Sequence, residues 1–369
     1  MTSCPILRPT VAEIDLSKLT RNLQKVRAQV ADGVKLLVLV KANAYGHGAV
    51  EISRFLQEQH LCDFLGVASV EEGICLREAG ITLPILVLGS IYPFEAFEYA
   101  IKNRLAITIA SQAAAEAVCR IAEKMGQKAY CHVKQDTGMG RIGTRRGNVF
   151  GILETLAHNP HVILDGLYTH LSSVESDPAF TEEQIGYYRD TLTNVNLHGI
   201  HINYCHVAAS AAIMARPDVH YDMVRPGHSA YGLEKGYEPV MSLKTRIVYV
   251  KDVPAGSSIS YGRSFIAPQP MKVATLPIGY GDGYIRALSN KAEVLIGGQR
   301  CRVLGNVTMD MMMVDITHVP QAAVGSEVVL AGCQDGQEIT WAELAEKAGT
   351  IDYELCTLLM PRVPRIYKK

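Results

Sequence analysis

The sequence predicts an α/β protein: a (β/α)8 barrel of the TIM type followed by a smaller β-rich domain. Three observations carry that class. Short apolar runs alternate with helix-period segments through the first two-thirds of the chain. Eight such runs can be counted, the number a closed parallel barrel requires. Near Gly236 the pattern changes to strands without long helices. At 369 residues and 48% hydrophobic content the chain can bury a large core, divided over one to three domains.

Taken in order, "DLSKLTRNLQKVRAQVADG" places Leu16, Leu19, Leu23, Val26 and Val30 on one helical face, with Gly33 as a C-terminal stop. The run Leu36–Val40 is a strand buried on both faces. Further strands are expected at 64–68, 85–88, 106–109, 129–133, 163–168, 201–205 and 223–224, with helices such as "SVEEGICLREAG" and "SQAAAEAVCRIAEKMG" between them. An open doubly wound sheet is the competing topology. It needs fewer strands and expects a G-x-G-x-x-G turn after the first, which is absent. Beyond Gly236 the strands are "MSLKTRIVYVKDV", "KVATLPIG", "AEVLIGGQRCRVLG" (a hairpin turning at Gly297-Gly298), "MMMVDIT" and "SEVVLAG". One helix is expected at "TWAELAEKAG", capped by Thr340 with Glu343 three residues on. The domains are therefore 1–236 and 237–369, and the first 14 residues or so are candidates for pairing with the second.

Lys plus Arg number 36 against 37 Asp plus Glu, so no basic excess points to nucleic acid. The N-terminus lacks the basic and apolar regions of a signal peptide, and no apolar run approaches the roughly 18 residues of a membrane span. Nine cysteines without a C-x-x-C pair, Cys4 among them, suit small buried thiols in a reducing compartment. A cytoplasmic protein is expected.

The reactive face of such a barrel lies at the C-terminal strand ends. Lys41 and Tyr45 follow the first strand, Lys134 ends the fifth and Arg141 sits in the loop beyond it. His170 follows the sixth, His206 and Ser210 the seventh, Arg225 and Gly227 the eighth. Five strands with apolar interiors and cationic or imidazole ends describe a lined active site. Ser210, Gly227 and small neighbours suit a phosphate, since glycine allows close backbone approach. A lysine across the barrel from a phosphate site is the arrangement pyridoxal phosphate needs. Strand ends poor in carboxylates argue against a divalent metal, although His170 and His206 could form a two-histidine site.

The stretch "VLVKANAYGHGA" resembles the cofactor-attachment motif of the alanine racemases, fold-type III enzymes that use pyridoxal 5'-phosphate. The resemblance continues in order through "KQDTGMGRIG", "YTH", "MVRPGHSAYGL", "SYGRSF", "IGYGDGY", "VTMDMMMVD" and "RVPRIY". It implies that Lys41 carries the cofactor and is one proton-transfer base. Tyr261 is then the second base, contributed to the cofactor of the partner subunit in a homodimer with shared sites. The two act on opposite faces of the amino acid, one removing the α-proton and the other delivering one. A phenol needs its anion stabilised to serve as a base, and His170 and Arg225 match residues that help. Arg225 also matches the arginine facing the pyridine nitrogen. Arg141 resembles the partner of the substrate carboxylate, and Lys134 a lysine that is carbamylated in several members and orients that arginine. Met309 and Asp310 match substrate contacts from the partner subunit. Tyr45, Ser210, Gly227 and His228 fall at phosphate positions, and Tyr280 at a substrate-access tyrosine. The implied activity is interconversion of L- and D-alanine, as in D-alanine supply for cell wall.

One departure matters. Several members carry a tyrosine near the cofactor phosphate just before "RVPR", where this chain has Met360 and Pro361. Loss of that hydroxyl makes serine, or serine and alanine together, an alternative substrate. A non-catalytic pyridoxal-phosphate carrier would lack the second domain with Tyr261 and Asp310. Fold-type III decarboxylases usually set a carboxylate rather than Arg225 against the pyridine nitrogen.

Overall fold

The computed structural model describes residues 7–369, so Cys4 and the segment before Leu7 lie outside the described residues. Two compact units are present: one joins Thr20–Ala44 to Ala49–Ala230, and the other joins the residues up to Leu19, Tyr45–Gly48 and Tyr231–Lys369. The division is finer than a cut at residue 236. Strand β1 (Val11–Asp15) pairs with strands of the second unit, and the ring of Tyr45 lies 5.2 Å from that of Tyr231 and 5.8 Å from that of Tyr353, all within that unit.

The first unit is the barrel. Its strands are β2 (Lys35–Leu39), β3 (Phe64–Val67), β4 (Ile85–Val87), β5 (Leu105–Ile109), β6 (Ala129–Lys134), β7 (Val162–Tyr168), β8 (Tyr204–His206) and β9 (Met223–Val224). All pair in parallel, in the order β8-β7-β6-β5-β4-β3-β2-β9. Backbone bonds from Asp222 N to Cys205 O (3.1 Å) and from Arg225 N to Ala208 O (2.9 Å) bring the two ends together. The Val, Ile and Leu of β2 to β5, apart from half-buried Leu39, are buried because helices cover their outer face. Strand β8 begins three residues later than the sequence suggests. His201 and Asn203 bond to each other through their side chains (3.1 Å), and Asn203 also reaches Asp165, so this stretch stays out of the ladder. Gly33 does not cap the first helix, which ends at Gln29; with φ +88° it makes the turn beyond.

In the second unit β1 joins β10 (Met241–Arg246), β11 (Tyr249–Val253), β12 (Ser258–Ile259), β13 (Phe265–Ile266), β14 (Met271–Leu276), β15 (Glu293–Ile296), β16 (Gln299–Leu304), β17 (Met312–Asp315), β18 (Glu327–Gln334), β19 (Gln337–Ile339) and β20 (Arg365–Lys368). The main path runs β11-β14-β17-β16-β15-β18-β10-β1-β20. The run "MSLKTRIVYVKDV" is two strands, because its backbone changes partner: Ile247 N bonds to Ser326 O and Val248 N to Thr275 O. The Gly297-Gly298 hairpin forms between β15 and β16, both glycines at positive φ as that turn demands. Thr340 caps the helix Trp341–Ala348 by accepting from Glu343 N at 3.0 Å. No helix among the described residues is long and apolar enough to cross a membrane.

Candidate active site

The chain leaves β2 in an unusual way. After Lys41, residues Ala42, Asn43, Ala44 and Tyr45 all have φ between 50° and 54°, a left-handed turn built without glycine. Such a conformation costs a non-glycine residue roughly 1–2 kcal/mol, and it persists because neighbours hold it. Glu72 accepts from the backbone N–H of Ala42 and of Ala68, each at 2.7 Å, and Asn43 accepts from Ala49 N at 2.9 Å.

Lys41, Lys134, Arg141, His170 and Arg225 line one cavity of about 260 Å³ at the C-terminal ends of the barrel strands. Its apolar lining includes Leu39, Leu88, Ile142 and Tyr168. No carboxylate lines it. Burial and the mutual repulsion of these cations therefore favour their neutral forms. Burial, with Arg141 and Arg225 adding and Glu72 opposing, lowers the pKa of Lys41. Burial, then Arg225 and Arg141, brings Lys134 down to about 7. Burial with the same cations holds His170 at about 3, so its imidazole is neutral at pH 7. Arg225, 3% exposed, is lowered by burial to about 10 and keeps its charge.

Arg225 is fixed from below. It donates through Nη1 to His206 Nδ1 (2.9 Å) and through Nη2 to the carbonyls of Thr169 (2.9 Å) and Val207 (2.8 Å). The Tyr168 ring stacks on His206 with centroids 4.6 Å apart, and Lys134 Nζ lies 4.6 Å from its centre. The loops after β8 and β9 meet at Ser210, whose hydroxyl accepts from Gly227 N (3.2 Å), Ser229 N (3.1 Å) and the Ser229 hydroxyl (3.1 Å). These converging N–H and hydroxyl groups suit a phosphate. The donor set as a whole, cationic and without acid, fits a dianionic aldehyde cofactor and a carboxylate substrate. No group of three or more His, Cys, Asp or Glu among the described residues is placed to hold a metal.

The remaining expected residues stand in the second unit. Tyr261 is 75% exposed, and Tyr280, Met309 and Asp310 are exposed as well. The loop carrying Met309 and Asp310 is fixed by a network that sequence reading missed. Buried Asp282 receives Arg8 Nη1 at 2.8 Å and Arg362 Nε at 2.7 Å. Arg362 in turn reaches Asp310 (2.8 Å) and the Met309 carbonyl (3.2 Å). The ring of Tyr45 is buried in this unit and does not line the cavity with Lys41. The expectation of apolar strand interiors needs correction too: His132, Thr108 and Asp165 are buried polar groups within the barrel strands.

A parallel barrel with a cation-lined cavity at its strand ends, joined to a β-rich unit, defines an enzyme of the barrel class with an anionic ligand. The family models "Alanine racemase, N-terminal domain" and "Alanine racemase, C-terminal domain" match residues 14–235 and 240–367. An alanine racemase of Halothermothrix orenii is 42% identical over 98% of this chain and 98% of its own length, as is one of Desulfovibrio desulfuricans. The solved alanine racemase of Clostridium difficile 630 superposes with a TM-score of 0.93 at 37% identity, covering 99% of this chain and 97% of that one. That of Bacillus anthracis, solved with bound L-Ala-P, gives 0.92 at 33% identity, covering 99% and 96%. The chain belongs to the alanine racemase family.

Proposed function

We propose that this chain interconverts L- and D-alanine, with pyridoxal 5'-phosphate carried on Lys41 in the barrel cavity and Tyr261 of a partner subunit as the opposing base. The observation that carries the reading is the cavity itself: five basic side chains from β2, β6, β7 and β9 and the loops after them, and no acid. When bound, the cofactor supplies the electron sink that makes the α-proton of an amino acid removable. Lys41, its amine biased towards the unprotonated form, both attaches the cofactor and moves a proton at Nζ. Arg141 binds the substrate carboxylate. Ser210, Gly227 and His228 surround the phosphate, and Tyr45, whose ring stands outside the cavity lining, would reach it only through its hydroxyl. Arg225 keeps its charge at neutral pH, so it would offer a hydrogen bond but transfer no proton to a pyridine nitrogen held against it, and His170 stays neutral beside it. With Lys134 brought down to about 7, its amine is partly unprotonated at neutral pH, the state that reacts with carbon dioxide to form a carbamate. A carbamate there would give the cavity its missing negative charge and orient Arg141.

The exposure of Tyr261, Met309 and Asp310 supports a homodimer in which each β-rich unit completes the other subunit's cavity, with Tyr280 on the access path. Eight described free thiols suit a cytoplasmic setting. The test is formation of D-alanine from L-alanine, and of D-serine from L-serine, by cofactor-loaded protein. Alanine is expected to turn over faster. Serine turnover equal to that of alanine would shift the substrate, with Met360 as the cause, and no turnover of either would end the racemase reading.

A further inference from the structure

The barrel interior holds a feature that the activity above does not use. Strands β6 and β7 pair with a register shift: Cys131 faces Leu164 but His132 faces Gly166, leaving Asp165 as the extra residue of a bulge. Bulges re-aim side chains and are rare between parallel strands. This one turns Asp165 towards His132. Gly166 is the residue the arrangement requires, since a Cβ there would stand 2.0 Å from His132 Nδ1. The space lets the two imidazoles meet. His132 Nδ1 lies 3.0 Å from His206 Nε2, His132 Nε2 lies 3.3 Å from Asp165 Oδ2, and Asn203 secures the other carboxylate oxygen at 2.9 Å. Both rings are fully buried.

The direction of the chain follows from its first member. Arg225 can only donate, so His206 Nδ1 accepts and, in a neutral ring, Nε2 carries the proton. That proton is donated to His132 Nδ1, which leaves the His132 proton on Nε2, pointing at Asp165. Three hydrogen bonds then run one way, from a guanidinium at the active-site cavity to a carboxylate that lines a second cavity, of about 640 Å³, with residues at the N-terminal ends of the strands. Each bond polarises the next.

We propose that Asp165, His132 and His206 are positioning residues for racemisation: the acceptor at Asp165 fixes the tautomers of both imidazoles, and through them the plane of the Arg225 guanidinium. The inference rests on the racemase reading for its consequence, while the chain itself can be observed without turnover.

The experiment compares Asp165→Leu with Asp165→Asn in the cofactor-loaded enzyme. Asparagine retains an oxygen that accepts from His132; leucine does not. Asp165→Leu is expected to lower kcat about tenfold or more with KM within about twofold, and to shift the pH dependence of the bound cofactor's absorbance. Asp165→Asn is expected to recover most of the rate. Imidazole nitrogen NMR should show both rings protonated at Nε2 in wild type and Asp165→Asn, with His132 no longer fixed in Asp165→Leu. If Asp165→Leu fails to fold, His132→Gln against His132→Phe makes the same comparison, because glutamine can still accept and donate. A proton on Nδ1 of either ring, wild-type kcat in Asp165→Leu, or equal losses in both Asp165 variants with an unchanged absorbance profile would overturn the proposal. Wild-type protein that shows these tautomers but racemises nothing would remove the racemase reading and leave the hydrogen-bond chain standing.

Discussion

Lys134 shows how a residue's chemistry is set by what surrounds it. Its stem is buried in the barrel, its ammonium lies over Tyr168, and the charges that act on it most are those of Arg225 and Arg141, with Asp136 opposing. An unfolded lysine titrates at about 10.4, against about 7 here. Between these values the unfolded chain holds a proton that the folded one has lost. Stability should therefore rise from about pH 7 to about pH 10, with the full cost of the buried charge present below that window. Urea midpoints measured over this range in buffers free of carbon dioxide should climb more steeply for the native protein than for Lys134→Met. Arg225 keeps its charge despite burial, and Asp282 is a buried carboxylate on which two arginines converge. Asp282→Ala would leave Arg8 and Arg362 without their carboxylate and free the Met309–Asp310 loop. A loss of about 2–3 kcal/mol is expected by denaturant titration, together with a raised KM for alanine. The sequence marked Lys134 and Arg225 by their place at strand ends. It gave no such sign for Asp282, whose partners lie 274 and 80 residues away along the chain.

Among the elements, the left-handed turn after β2 is the one that periodicity could not reveal. "KANAYG" reads as a loop entering a helix, and nothing in its composition demands four successive positive φ values. They exist because Glu72 and Asn43 capture the backbone of the turn and its flanks. At Ala42, which is exposed, valine should cost about 1–2 kcal/mol because a branched Cβ crowds the left-handed region, while glycine should be tolerated. Paired thermal or urea unfolding of Ala42→Val and Ala42→Gly checks the sign. The bulge at Asp165 was equally hidden. Its one visible trace is a polar residue beside a glycine in an apolar strand, "VILDGLY". By contrast, seven of the eight barrel strands begin and end within a residue of their expected limits, since buried parallel strands announce themselves as unbroken Val, Ile and Leu runs.

For the whole molecule, Lys41 and Tyr261, the bases proposed above, belong to different compact units, and the dimer reading assigns them to different chains at each site. That reading makes a sharp prediction. Lys41→Ala and Tyr261→Phe should each be nearly inactive alone. Mixed and allowed to exchange subunits, they should regain up to about a quarter of wild-type activity, because half the dimers carry one intact site. Activity should also fall on dilution below the dimer dissociation constant. Recovery absent after demonstrated subunit exchange would place both bases in one chain.

The sequence by itself determined the barrel, the β-rich unit after it, the lysine at the first strand end and the family, because those rest on local periodicity and on contiguous motifs. Tertiary structure alone decided which side chains share a cavity, how far burial shifts their protonation, and how Arg225 is held through His206 and His132 to Asp165. Those outcomes depend on strands distant in sequence lying side by side. Burial and charge repulsion act through space, and a one-residue slip in pairing is invisible until the strands meet.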